Sequence, residues 1–242
     1  MPLTSHRAAR LLGAWLASAC LALGCAPPPM HPAASRSVAY DYFAAPAAGD
    51  AWTPKINGWQ ERERNARPES FAFAPASVSG SGRSNAPGAP PSDELRNKFS
   101  AFRAEQRRAV AKEMARWIQT QARQFYIPGG AIDHWATYSE TLARGGEDCD
   151  GLELLVNHFL RDLGFGEDEV YRAIVYRPAD GQHHMVTLWF EDRGDPWVID
   201  PTGAMTTGMP HMSELPDWVP LKVFTDVADW SVQDGRYAAA PH

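Results

Sequence analysis

The sequence predicts an α+β domain. Two amphipathic helical stretches come first, and short runs rich in Val, Ile, Trp, Tyr and Phe follow, separated by Gly- and Asp-bearing turns. The 242 residues are 44% hydrophobic and 21% charged, which suits a soluble globular protein and excludes collagen-like, coiled-coil and multi-span membrane classes. The formal charge of −6 arises from 29 acidic against 23 basic side chains. Such a balance argues against a surface built to neutralise phosphates, so no nucleic-acid partner is expected.

Residues 1–25 have the form of an export signal. Arg7 and Arg10 precede an apolar run, Leu11 to Leu23, that is too short to span a bilayer comfortably. The run Leu21-Ala22-Leu23-Gly24-Cys25 resembles a bacterial lipobox, in which the cysteine becomes the lipidated N-terminus. Leu16-Ala17-Ser18-Ala19-Cys20 is a second candidate, and a plain secretory signal is the alternative. The lipobox implies an exported protein held only by a lipid on Cys25, on the periplasmic side of the outer membrane or at the cell surface. Cleavage there leaves Cys149 as the one free thiol in an oxidising compartment, where a thiol must be either buried or used.

Residues 26–91 hold eleven of the twenty prolines, with Ala, Ser and Gly filling much of the remainder. This composition predicts a tether, because it offers too little apolar surface to offset the entropy of ordering. Trp52, Trp59, Phe71 and Phe73 leave a second reading open, in which short stretches dock on the domain.

The domain is expected over 92–242. Ser92 can cap a helix whose first turn carries Asp93 and Glu94. Leu95, Phe99, Phe102, Val110, Met114, Trp117, Ile118 and Phe125 then recur at helical spacing, as one helix or a broken pair, until Pro128-Gly129-Gly130 stops the pattern. A second helix starts at Cys149, with Leu152, Leu155, Val156, Phe159 and Leu163 on one face and Gly164 at its end. Strands follow at Val170 to Tyr176, His184 to Phe190 and Trp197 to Asp200, with a fourth around Pro220 to Phe224.

On this map Cys149 occupies the first turn of a helix, where free backbone N–H groups and the helix dipole stabilise a thiolate and can donate to an oxyanion. A thiolate nucleophile needs a proton-transfer partner, and histidine suits that task near neutral pH. His183 and His184 both open the second strand. His184 shares a face with Val186, Leu188 and Phe190, a continuously apolar face expected to look toward the helix, with His183 turned away from the sulfur; this assigns the base to His184. Asp200, closing the next strand, can orient the imidazole. His134, His158 and His211 have no ligand-like spacing with cysteine, and neither a phosphate loop nor a metalloprotease motif is present, so no cofactor or metal is required.

Helix-borne Cys149, strand-borne His184 and Asp200-Pro201-Thr202 resemble the transglutaminase-like branch of the papain-like cysteine enzymes. The segment from Trp135 to Gly146, running into Asp148-Cys149-Asp150, and His184-Met185-Val186 resemble more closely the bacterial transglutaminase-like cysteine peptidases. Gly151 and Leu152 stand where that family has an acidic and an aromatic residue, and Pro201 where it commonly has Asn. The resemblance implies a papain-like fold, a catalytic helix on an antiparallel sheet, and a thiol protease that cleaves peptide or side-chain amides of envelope or surface proteins. Some relatives bind calcium beside the cysteine, which here would fall to Glu147, Asp148 and Asp150; carboxylates favourably placed at a helix N-terminus are the other explanation. Asp148 to Leu152 also resembles the cysteine motif of NlpC-type peptidoglycan endopeptidases, whose third triad member is usually a polar residue, often histidine. A cross-linking transglutaminase and a non-catalytic binding module of the same fold complete the alternatives.

Overall fold

The structure, a computed structural model, describes residues 40–66 and 93–234, all within one compact unit. The export signal with Cys25, the stretch containing Phe71 and Phe73, and Ser92 lie outside the described residues.

Four helices and six strands follow one another as β1 (Tyr40–Ala44), α1 (Thr53–Ala66), α2 (Asp93–Phe125), α3 (Tyr138–Arg144), α4 (Cys149–Asp162), β2 (Val170–Arg177), β3 (Gln182–Trp189), β4 (Trp197–Ile199), β5 (Val219–Phe224) and β6 (Asp229–Asp234). The strands form one antiparallel sheet in the order β1-β6-β5-β2-β3-β4. The fold is therefore α+β, as expected, with the predicted β2 to β5 at its centre and one edge.

Both faces of the sheet are covered. On one side Leu152, Val156 and Leu160 of α4 pack with Ala111, Ala115, Ile118 and Ala122 of α2 against Val170, Trp189 and Ile199. Small alanines on α2 let the two helices approach closely. On the other side Tyr171, Ala173, Val175, Val186, Leu188, Val198 and Val223 are covered by Met212 and Trp218 from the connection between β4 and β5. Burial on two faces explains why the central strands are apolar in nearly every position.

The tether expected over 26–91 is corrected for residues 40–66, which belong to the folded unit. β1 pairs with β6 and extends the sheet. Ile56 and Trp59 of α1 pack on Trp135, Leu154, Ile174 and Phe224. Polar ties reinforce this: Gln60 donates to the carbonyls of Thr225 and Ala228 at 2.8 and 3.2 Å, and the buried Lys222 ammonium donates to Asp229 at 2.7 Å and Asp50 at 3.4 Å. Composition pointed to a coil, but burial of Tyr42, Ile56 and Trp59 and the ion cluster around the buried Lys222 outweigh it. Among the described residues no helix is long and apolar enough to cross a membrane.

Candidate active site

Cys149 is fixed by the way α4 begins. The Asp148 side chain caps the helix by accepting the Asp150 N–H at 3.2 Å. Just upstream, the Glu147 N–H donates to Phe125 O at 3.2 Å and Glu147 O accepts from Ile127 N–H at 3.1 Å, which ties this entry to the end of α2. Gly151 permits the tight passage: a Cβ there would lie 2.4 Å from Glu147 Cβ, so the acidic residue that the resembled family carries at this point has no room. Beneath the first turn, Arg172 of β2 donates to Asp150 O at 2.8 Å and pairs with Glu153, which also accepts Thr187 Oγ1 at 2.6 Å.

Cys149, half-buried, is the free cysteine of the described residues. It lines an open groove of about 760 Å³ together with Arg123 of α2, Tyr126 just beyond that helix, Gln182 and His184 of β3, and Thr202. A smaller recess of about 110 Å³ beside it is walled by Trp52, Trp135 and His183.

His184 Nε2 donates to Asp200 Oδ1 at 2.8 Å, which leaves Nδ1 available to Cys149 in the groove that both residues line. Burial works against the imidazolium, but the hydrogen bonds and charges of Asp200 and Cys149 outweigh it and push the His184 pKa up to about 9. At neutral pH the ring therefore carries a proton, the state that complements a thiolate.

Asp200 is fully buried yet held below the usual carboxylate range. Burial alone would raise it; His184 and the surrounding N–H donors reverse the direction. Oδ1 accepts the N–H groups of Thr202 and Gly203 at 2.9 and 3.1 Å, and Oδ2 those of Met205 and Thr206 at 2.5 and 3.1 Å. Gly203, at φ 74°, supplies the left-handed turn that folds these donors inward. Thr202 Oγ1 lies 3.5 Å from His184 Nε2.

The structure brings Cys149, His184 and Asp200 together, but the strand face that carries His184 does not look toward α4 as expected. The face of β3 toward α4 is that of Met185, Thr187 and Trp189: Thr187 bonds Glu153, and Trp189 packs with Leu152 and Val156. His184, with Val186 and Leu188, belongs to the opposite face and sits 5.9 Å from the Trp218 ring. His184 meets the sulfur because β4 ends at Ile199, opposite Thr187, so the first residues of β3 have no strand on that side and open onto the groove. His183 was expected to face away from the sulfur. It lines the same groove instead, with its ring 5.0 Å from Trp52 and 4.9 Å from Tyr176.

The three acidic residues near Cys149 do not act as a set. Glu147 is buried in an ion pair with Arg144. Asp148 and Asp150 do meet: burial raises the Asp150 pKa, and the neighbouring Asp148 carboxylate raises it further. Among the described residues no three His, Cys, Asp or Glu side chains are grouped to hold a metal ion. His158 and His211 are held by Glu63 at 3.2 Å and Asp195 O at 2.8 Å and line neither groove nor recess.

Trp52, Arg123 and Tyr126 join the site unannounced by motif. Trp52 alone carried a signal, as an aromatic residue in a Pro- and Ala-rich segment.

No protein-family model matches the chain, and no curated protein does. Among solved structures, calcium-bound LapG of Legionella pneumophila is 16% identical with a TM-score of 0.43, the match covering 73% of this chain and 87% of that one. EGTA-treated LapG from the same organism is 15% identical with a TM-score of 0.44, covering 76% and 92%. Likeness this remote says nothing of this chain's chemistry, which must be read from the groove around Cys149.

Proposed function

We propose that the protein is an exported, transglutaminase-like cysteine peptidase or amidase, anchored by a lipid on Cys25 and acting on peptide or side-chain amides of envelope or surface proteins. One observation carries this reading: a free sulfur and an imidazole line the same open groove, and the imidazole is hydrogen-bonded at 2.8 Å to a fully buried carboxylate behind it.

The Cys149 thiolate attacks the amide carbonyl carbon, and the oxyanion that forms is within the field of the α4 N-terminus, where the Cys149 N–H has no partner among the described backbone groups. The C–N bond then breaks as His184 delivers its proton to the departing amine, leaving a thioester. Water gives a proton to His184 and attacks the thioester; the C–S bond breaks, and the thiolate and imidazolium are restored. Asp200 keeps the ring oriented and its cation stabilised throughout. A substrate amine in place of that water would cross-link instead of hydrolyse.

Asp200 as the third member favours this reading over an NlpC-type endopeptidase. A binding module of the same fold would have no use for a half-exposed thiol beside a protonated histidine. The test compares envelope proteins from cells carrying the wild-type chain or Cys149→Ala. New protein termini that depend on Cys149 are expected; Cys149-dependent isopeptide bonds would make it a cross-linking enzyme, cleaved peptidoglycan stems would make it an endopeptidase, and identical profiles would overturn the reading.

A further inference from the structure

We propose that Gln119 is a positioning residue for the Asp200–His184 pair, a role that rests on reading Cys149, His184 and Asp200 as the catalytic line. β4 ends at Ile199, so the sheet does not hold the segment that follows. Residues 200–208 form a loop whose backbone N–H groups turn inward onto the Asp200 carboxylate. An inward-folded loop of this kind fixes the carboxylate relative to itself, but something else must fix the loop relative to Cys149.

Gln119 supplies the hydrogen bonds between this loop and the helices. Its Nε2 donates to Asp200 O at 2.9 Å, with Gly208 O at 3.3 Å and Thr206 O at 3.4 Å sharing the second N–H, and its Oε1 accepts Gly208 N–H at 3.0 Å. One amide therefore clamps both ends of the loop. The residue projects from the half of α2 that packs on α4, between the buried Ile118 and Ala122, and α4 carries Cys149. Sulfur and carboxylate are thus referenced to the same pair of helices, although one comes from α4 and the other from a loop beyond β4.

Glutamine meets the chemical requirement because it offers donors and an acceptor on one rigid plane. A carboxylate would lack the donors, and Asn is shorter by one methylene. Gln119 touches neither the sulfur nor the reacting carbonyl, so its effect should be seen in the state of His184 and not in binding alone.

The test uses Gln119→Met, which keeps size and packing, alongside Gln119→Ala. The readouts are an NMR titration of the His184 ring and the rate of Cys149 alkylation by iodoacetamide against pH. The expected result is a His184 pKa moved toward its ordinary value in both variants and alkylation at pH 6 about tenfold slower, equivalent to about one pKa unit, with Gln119→Met still unfolding cooperatively, at a lower midpoint than wild type. A His184 titration and alkylation profile identical to wild type in Gln119→Met would overturn the inference. A wild-type Cys149 that reacts no faster than an ordinary thiol would instead overturn the catalytic reading itself, and the role of Gln119 with it.

Discussion

Two buried charge pairs lie close together in this molecule, and they are built for different ends. Arg172 and Glu153 are sealed, at 1% and 0% exposure of their side chains, and their other contacts go to the framework: hydrogen bonds with Asp150 O and Thr187, and the guanidinium over the rings of Trp59 and Phe224. His184 and Asp200, at 8% and 0%, look similar by burial, but one nitrogen of the imidazole faces a free sulfur and the groove. The first pair holds the start of α4 against β2 and β3. The second is left with one polar contact that a substrate can change. Burial of charge alone therefore does not mark a site; what marks it is a charge whose last partner is reactive and reachable.

Breaking the open pair should remove activity and leave the fold. Cys149→Ala and His184→Ala are expected to abolish turnover, and Asp200→Ala to cause an intermediate loss through poor orientation of the ring, as measured on a substrate taken from the proteomic comparison. Substantial turnover in His184→Ala would remove the distinction between the pairs.

Breaking the sealed pair should do the reverse. Arg172→Met leaves Glu153 buried without its cation and should cost about 3 to 5 kcal/mol of stability in urea unfolding. Replacing Arg172, Glu153 and Thr187 together by apolar residues should recover much of that loss. If the single change proves neutral, the pair does not hold the framework.

A smaller effect concerns pH. The His184 pKa is raised from 6.5 to about 9, so its stabilising contribution is complete below about pH 6.5 and is lost as pH rises through 9. Asp200, lowered, contributes above its ordinary range near 3.8 and loses its contribution only as pH falls through its depressed value. The stability difference between wild type and His184→Ala should accordingly shrink between pH 6.5 and 9.5. A difference that stays constant would show that the ring is not held protonated. Smallest of all, His183→Ala should leave most turnover intact, with its effect on KM, since its ring contacts are Trp52 and Tyr176.

The sequence disclosed the strands from Val170 to Phe224 and the helix from Cys149 because their apolar residues recur at intervals of two and of three to four, signals that survive without tertiary context. It hid β1 and α1, whose order depends on partners far away: Trp59 is buried against Phe224, and the half-buried Trp52 stacks on Trp135. α3 carries a legible mark, the capping box of Thr137 and Glu140, which completes the helix between Trp135 and Cys149. Alternation on β3 separated His184 from His183 but could not say which face meets α4, since Val186 and Leu188 on one side and Met185 and Trp189 on the other are all buried. Asp200 was legible as the carboxylate at the end of the strand that follows that of His184. Gln119 was not, because a single polar residue on an amphipathic helix looks like any solvated position until the loop it clamps is in place.

If Cys149 and His184 form a reactive thiolate and imidazolium pair, alkylation of the folded protein by iodoacetamide at pH 6 reads it directly. Cys149 is expected to be labelled much faster than an ordinary free thiol at that pH, and His184→Ala to remove most of the advantage. Labelling that appears only on unfolding, or that is unchanged in His184→Ala, would contradict it.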